Sequence, residues 1–347
     1  MNLSKASGRG RPGNRKFWEN RVVLVTGATG FVGSSLTARL VALGAKVLGF
    51  SCRGEDEKNL NFFVWGLEKK VKLIRGAIED FRFVRRIVRK HRFDIVYHLA
   101  AQAIVGKANL NPLPTFKTNI EGTWNLLEAC REKRNRIKAI VVASSDKAYV
   151  PHKNLPYRED YPLQPNYPYD VSKACADIIA RSFYRTYGLP IVVTRFANIY
   201  GPGDHNYSRI IPDVVQHVLR GRSPVIRSDG TPIRDYLYIE DAVDLYLLLA
   251  ERIGRVSGEV FNAGCNHPIS VLHLARMILK LAGRTDLKPE IRGKGKLPGE
   301  INKQWLDARK VNRVLHWKPK VNLEEGLRQV LLGTASRTVM SWSKKSF

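Results

Sequence analysis

One segment limits what this chain can fold into more than any other: Gly27-Ala28-Thr29-Gly30-Phe31-Val32-Gly33. It follows directly on an apolar run over 21–26 and leads into a helical pattern over 34–43 that Gly44 stops. Glycines let the chain turn tightly there and let a ligand approach the backbone closely. The helix that follows offers free N–H groups and the positive end of its dipole to an anion. Glycine alone could serve only a positive-φ turn; its place between strand and helix points to the pyrophosphate of a dinucleotide. Gly27, Thr29, Gly30, Phe31, Val32 and Gly33 are the expected contacts.

Beyond this turn, strand and helix signals alternate. Apolar runs over 46–50, 71–74, 94–99, 139–143 and 191–195 read as strands, and the stretches 81–90, 120–131 and 174–187 have helical spacing. This predicts an α/β chain with a Rossmann-type doubly wound parallel sheet. Residues 17–198 would form the NAD(P)-binding Rossmann domain. After Asn198 the sequence Tyr200-Gly201-Pro202-Gly203 breaks the pattern, and 199–333 is expected to form mainly a smaller C-terminal substrate-binding lobe that partly returns to the sheet. Residues 1–16, rich in Gly, Arg, Lys and Ser, read as a mobile basic tail, and 334–347 as a loose one.

Apolar residues make up 44% of the chain, enough for a core of this size. No apolar run reaches the roughly 18–20 residues of a membrane helix, so membrane insertion is not expected. The N-terminus lacks the apolar segment of a secretory signal. Cys52, Cys130, Cys175 and Cys265 are scattered without a CxxC pair, which favours a reduced, cytoplasmic setting. The formal net charge of +27 invites a nucleic-acid reading. The basic residues are spread along the chain with no nucleic-acid module motif, so a basic surface that also attracts anionic substrates is the expected reading, and nucleic acid is not the expected partner.

The second strand ends at Ser51-Cys52-Arg53. An acidic residue there would bind a ribose 2′-hydroxyl and favour NAD; a hydroxyl and a guanidinium suit the 2′-phosphate of NADP. Glu55 and Asp56 lie close by, so both cofactors, NAD or NADP, stay open. His98 ends the fourth strand and reads as a lining of the cofactor cleft. No second His or Cys stands at metal spacing, and no metal is expected.

The chemistry concentrates at two places. Ser145-Asp146-Lys147 follows the run over 139–143, and Tyr169 and Lys173 stand four apart on one helical face. A cation beside a phenol favours phenolate and lowers its pKa, which suits Tyr169 as a base.

With Gly27-xx-Gly30-xx-Gly33, His98-Leu-Ala-Ala101, Asn119-xx-Gly122-Thr123, Ser145, Tyr169-xxx-Lys173, Arg195-xx-Asn198-xx-Gly201-Pro202, and Arg234-Asp235-Tyr236 with Asp241, the chain resembles the extended short-chain dehydrogenase/reductases from about residue 17 to 327. The likeness is to the nucleotide-sugar epimerases and dehydratases among them. Phe17-Trp18, Ser145-Asp146-Lys147, 169–175 and Ser228-Asp-Gly-Thr-Pro-Ile-Arg234-Asp-Tyr236 resemble CDP-glucose 4,6-dehydratases. The chain departs from these at Ala28 and Val32, where His and Lys are usual. The resemblance implies that Leu99, Ala100 and Ala101 line the cofactor, that Ser145 bonds the sugar O4, that Tyr169 is the base and that Lys173 also holds the nicotinamide ribose. It further implies a homodimer through the helices at 120–131 and 174–187.

The implied reaction oxidises C4 of a nucleotide-diphospho-sugar, removes water across C5 and C6 and returns hydride to C6. Asp146 would be the acid at O6 and Lys147 the base at C5; a 4-epimerase has no use for this added pair. By analogy Arg209, Arg227 and Arg234 face the diphosphate and nucleotide, with Asn198 and Glu300 as further substrate contacts. A 4-epimerase or reductase on the same scaffold is the alternative. A non-catalytic cofactor- or RNA-binding protein is a remote one, which the intact catalytic set argues against.

Overall fold

The computed structural model describes residues 13–52, 60–133, 136–149, 152, 154–293 and 301–343, with side chains as far as 335. Arg53, Glu55, Asp56 and Glu300, on which sequence expectations fell, lie outside the described residues.

Seven strands form one sheet: β1 (Val22–Thr26), β2 (Lys46–Ser51), β3 (Lys72–Arg75), β4 (Ile95–His98), β5 (Ala139–Ala143), β6 (Ile191–Phe196) and β7 (Val260–Ala263). Their order is β3-β2-β1-β4-β5-β6-β7, and every neighbouring pair is parallel. The chain builds outward from β1 to β3, then crosses back to lay β4 on the other side of β1. Crossovers therefore leave in opposite directions at β1 and β4, and a crevice opens beyond the ends of these two strands, where such sheets bind ligands.

Both faces of the sheet are covered, so the strands are apolar on both sides. Side chains alternate between two cores. Val23, Val25, Ile95, Tyr97 and Val141 belong to one; Leu24, Val96, Ile140 and Val142 belong to the other. Helices α1 (Phe31–Ala42) and α6 (Ile239–Glu251) pack together on the first face. Helices α2 (Phe81–Lys90), α3 (Gly122–Arg131) and α4 (Pro168–Tyr187) cover the second.

The differences from the sequence reading are local. Helix α4 begins six residues before the expected 174, because Pro168 sits in its first turn, where a missing N–H costs nothing. At the N-terminus, residues 1–12 lie outside the described residues, but the expected tail is already structured from Asn14. Its side chain caps the helix Arg15–Trp18, and its N–H donates to Glu251 Oε1 at 3.1 Å. The end expected to be loose, 334–347, instead continues the helix Leu323–Ser343, with 344–347 outside the described residues. No Gly or Pro follows Gly333 to stop it, and Thr334 Oγ1 donates back to Val330 O at 2.8 Å.

After Asn198 the chain alternates small elements with returns to the sheet. Asn198–Tyr200 pairs with Tyr236–Tyr238, and Ile233–Arg234 lies between Ile269–Ser270 and Lys303–Gln304. Helix α5 (Ile210–Leu219) follows Arg209. Strand β7 completes the main sheet beside β6. No helix among the described residues is long and apolar enough to cross a membrane.

Candidate active site

The glycine turn joins β1 to α1 at the crevice. Gly27 has φ +72°, and a Cβ there would meet Ala100 N at 2.9 Å, so the turn lies against the chain leaving β4. A Cβ on Gly33 would stand 2.0 Å from Gly27 O, and one on Gly30 would stand 3.2 Å from the same oxygen. Gly30 is the N-cap of α1 and uses no side-chain cap there. This is a cradle that side chains would fill, at the start of a twelve-residue helix, and it fits a dinucleotide pyrophosphate. Phe31 and Val32 open α1, and Leu99, Ala100 and Ala101 follow β4.

Ser51 is buried, with its Oγ 2.5 Å from Thr29 Oγ1. The hydroxyl that would suit a 2′-phosphate is thus engaged with the glycine turn. His98 is buried between Thr26 Oγ1 at 2.9 Å and Thr123 Oγ1 at 3.0 Å. Burial, then the Lys173 charge, lowers its pKa to about 3, so it stays neutral and ties β1 to α3.

Ser145 ends the extension of β5 and caps a short turn over Asp146–Ala148. Its Oγ donates to Asp146 Oδ1 at 3.0 Å and accepts from Lys147 N at 3.2 Å. Asp146 is buried; burial raises its pKa, against the opposing pull of Lys147, Ser145 and Arg234. Tyr169 and Lys173 lie in the first two turns of α4. The Lys173 ammonium donates to Ala143 O at the end of β5, which fixes α4 against the serine loop.

One expectation is corrected here. The phenol was to be lowered by Lys173, but burial dominates and raises Tyr169 to about 12. Arg209 and the hydrogen bond with Ser145 pull it down, while Asp146 and Asp170 push it up. Lys173 is occupied by Ala143 O, and burial lowers its own pKa to about 8, against the influence of Asp177.

Two of the three candidate arginines act on this set. Arg209, held by Asp204 at 3.0 Å, exerts its charge on Tyr169. Arg234 exerts its charge on Asp146 and on Asp170, and donates to Ile233 O at 2.8 Å. Arg227 is exposed beyond the short strand Val225–Ile226. Asn198 Nδ2 donates to Asp235 O at 3.2 Å, so it braces the segment that carries Arg234.

Arg195 is a support beneath the site. It is buried, bonds Asp177 through Nε and Nη2 at 2.8 and 3.0 Å, and donates to the Tyr149 hydroxyl at 2.7 Å. That hydroxyl donates in turn to Asn262 Oδ1 on β7 at 2.7 Å. The network clamps α4, β6 and β7 together behind Tyr169 and Lys173.

Two polar residues received no role in the sequence reading, and a third, Asp235, stood there only as part of a motif. Asp170 is buried beside Tyr169, and one of its carboxylate oxygens has no hydrogen-bond partner. Gln304 is fully buried with both amide atoms unpaired. Asp235 is buried and accepts from Asn266 N, His267 N and Tyr236 N. Adjacency to Tyr169 was a signal for Asp170; the position of Gln304 had none.

The comparisons agree with this geometry. The family model described as GDP-mannose 4,6 dehydratase matches residues 24–330. The CDP-glucose 4,6-dehydratase of Salmonella typhimurium is 30% identical over 334 residues, covering 92% of this chain and 91% of that protein. A dTDP-glucose 4,6-dehydratase of Bacillus anthracis, solved in complex with NAD, superposes with TM-score 0.81 at 27% identity, over 92% of this chain and 98% of the other. A UDP-glucose 4-epimerase of Thermotoga maritima, solved with UDP-glucose, gives TM-score 0.81 at 31% identity, over 91% and 99%. A family match across nearly the whole described chain means that the chain belongs to the GDP-mannose 4,6-dehydratase family.

Proposed function

We propose that the protein is a nucleotide-diphospho-sugar 4,6-dehydratase that forms a 4-keto-6-deoxy sugar. The observation that carries the reading is the serine loop: Asp146 and Lys147 lie between Ser145 and the Tyr169–Lys173 helix, and Asp146 is buried with a raised pKa. A buried carboxyl that holds its proton can donate it to a leaving hydroxyl. An epimerase needs no such donor.

The glycine cradle and the engaged Ser51 support NAD as the cofactor, as does the NAD complex of the Bacillus anthracis relative. NAD supplies a hydride acceptor at C4 and the same hydride for C6. Tyr169 would take the proton of the C4 hydroxyl as hydride leaves, with Arg209 and Ser145 drawing its phenol down against burial and Ser145 sharing the hydrogen bond at O4. Lys173 orients the ribose end of the cofactor from its hold on Ala143 O. Lys147 removes the C5 proton made acidic by the C4 ketone and gives a proton back to C5 when hydride reaches C6, and Asp146 protonates O6 as it leaves. Arg209 and Arg234 balance the diphosphate charge.

The relatives that carry nucleotide sugars in their names support that substrate class. Trp124 on α3 and Ile178 and Tyr187 on α4 are exposed apolar side chains, which supports pairing of two copies through these helices. Light scattering that finds a monomer at micromolar concentration would count against the homodimer. A cytoplasmic setting agrees with free cysteines and the lack of a spanning helix among the described residues.

The test is mass spectrometry of products from CDP-, GDP-, UDP- and dTDP-glucose. Loss of one water without net cofactor reduction is expected for at least one of them. A product of unchanged mass with inverted C4 would make the enzyme an epimerase. Tyr169→Phe should stop the first oxidation. Lys147→Ala should retain oxidation and lose dehydration; normal dehydration by this variant would remove Lys147 from the role of base.

A further inference from the structure

Two buried side chains near the catalytic set have polar atoms with nothing to bond. Asp170 is 4% exposed and its Oδ1 has no partner; Gln304 is 0% exposed and neither Oε1 nor Nε2 has one. An unsatisfied buried polar group costs about 1–3 kcal/mol. Three such atoms in one region are therefore expensive unless a ligand meets them.

Arg234 links the two residues: it pairs in register with one, and its charge acts on the other. Gln304 is its register partner in the parallel pair of Ile233–Arg234 and Lys303–Gln304, so the two side chains leave the same face of this small sheet. Asp170 lies in the first turn of α4, next to Tyr169, and the charges that act on it are those of Lys147, Asp146 and Arg234. Tyr157, whose N–H donates to Trp305 O just after Gln304, feels Asp146 and Arg234 as well. Asp170 thus stands beside Tyr169, and Gln304 lies on the strand paired with the one that carries Arg234.

We propose that Asp170 and Gln304 are specificity-determining residues that hydrogen-bond the hexose hydroxyls which take no part in the reaction, those at C2 and C3. The inference rests on the nucleotide-sugar reading. The reacting atoms are C4 with its oxygen, C5, and C6 with its oxygen, and C1 carries the diphosphate. Only the C2 and C3 hydroxyls remain to be read. A carboxylate oxygen accepts from one of them, and an amide can both donate and accept. Lys147 and Arg234 hold the Asp170 charge in the absence of sugar, which makes an unbonded oxygen there tolerable.

The experiment is a calorimetric titration of the NAD-loaded protein with CDP-glucose and dTDP-glucose and with their 2-deoxy and 3-deoxy analogues. Wild type, Asp170→Asn and Gln304→Leu are compared, and wild-type products are analysed alongside. Asp170→Asn should weaken binding of the parent sugars about 10- to 150-fold, the range of a hydrogen bond to a charged group, yet leave the analogue that lacks its partner hydroxyl within about twofold. Gln304→Leu should lose about 2- to 10-fold on the parent sugars while its melting temperature holds or rises, because an apolar side chain removes two unpaired atoms. Equal losses on parent and both analogues, or no loss, would overturn the inference. Selective losses combined with no 4-keto-6-deoxy product from wild type would overturn the dehydratase reading and leave the inference standing. Wild type binding neither sugar nucleotide would overturn both.

Discussion

Gly33→Ala offers a sharp test of the cofactor cradle. The added methyl would lie 2.0 Å from Gly27 O, with Gly27 C at 2.8 Å and Ala28 Cα at 3.0 Å. All three are backbone atoms, so no side chain can swing aside. Ordinary nonbonded separation is about 3.5 Å, so turn and helix must part by roughly 1.5 Å. Forcing a group into a filled site costs about 1–3 kcal/mol. The same displacement pulls the N-terminus of α1 away from the pyrophosphate, and losing one hydrogen bond to a charged group costs about 1.5–3 kcal/mol, or about 10- to 150-fold in affinity. Gly30→Ala is the matched control: its methyl would meet only Gly27 O, at 3.2 Å, and a shift of a few tenths relieves it. Thermal melting of cofactor-free protein and titration with NAD separate the two effects. Gly33→Ala should lose both stability and NAD affinity. Gly30→Ala should melt nearly as wild type and lose affinity only where its methyl faces the cofactor. Wild-type melting and NAD affinity in Gly33→Ala would refute the cradle argument.

Other expectations follow from the buried charges. Arg195→Met leaves buried Asp177 paired with Arg181 alone, at 2.8 Å, and should destabilise the protein in denaturant unfolding by less than the about 3–5 kcal/mol of a fully unpaired buried charge, with part recovered when Asp177→Leu is added. For Asp170, burial first of all raises the pKa from 3.8 to about 6. Between these values the folded state binds a proton that the unfolded state does not, so its contribution is intact below about pH 3.8 and is lost as pH rises through about 6. Asp170→Asn should therefore be more stable than wild type at pH 7 by about 2–3 kcal/mol, with the gain vanishing near pH 4; a gain independent of pH would contradict this. For Asp146, whose pKa is also raised by burial, dehydration should slow as pH rises and the proton donor is lost. Asp146→Asn should retain C4 oxidation, seen as reduced cofactor absorbance, while water loss stops.

Much of the architecture was legible because it follows from local rules. Short continuous apolar runs, most of them followed by a helical pattern, allow few alternatives to a parallel sheet, and Gly27, Gly30 and Gly33 announced the turn at its centre. Helices α2 and the strand β5 have the bounds the spacing predicts. The errors arose where a local signal was silent. Pro168 opens α4 earlier than apolar spacing suggests, and the stretch after Gly333 lacks a stop.

The sequence by itself determined the fold class and the glycine turn, and it supplied the candidate reacting side chains, since each is written in contiguous residues whose spacing sets their geometry. Tertiary structure decided their environments. Tyr169 is raised, because burial outweighs the pull of Arg209 and of the hydrogen bond with Ser145. Arg195 became a clamp on Asp177 because β6 carries it into the interior. Gln304 came to pair with the arginine whose charge acts on Asp170, 134 positions away in the chain, because a two-residue strand pairs with Ile233–Arg234. Burial and charge depend on what surrounds a side chain from every direction, and only the folded chain supplies those neighbours.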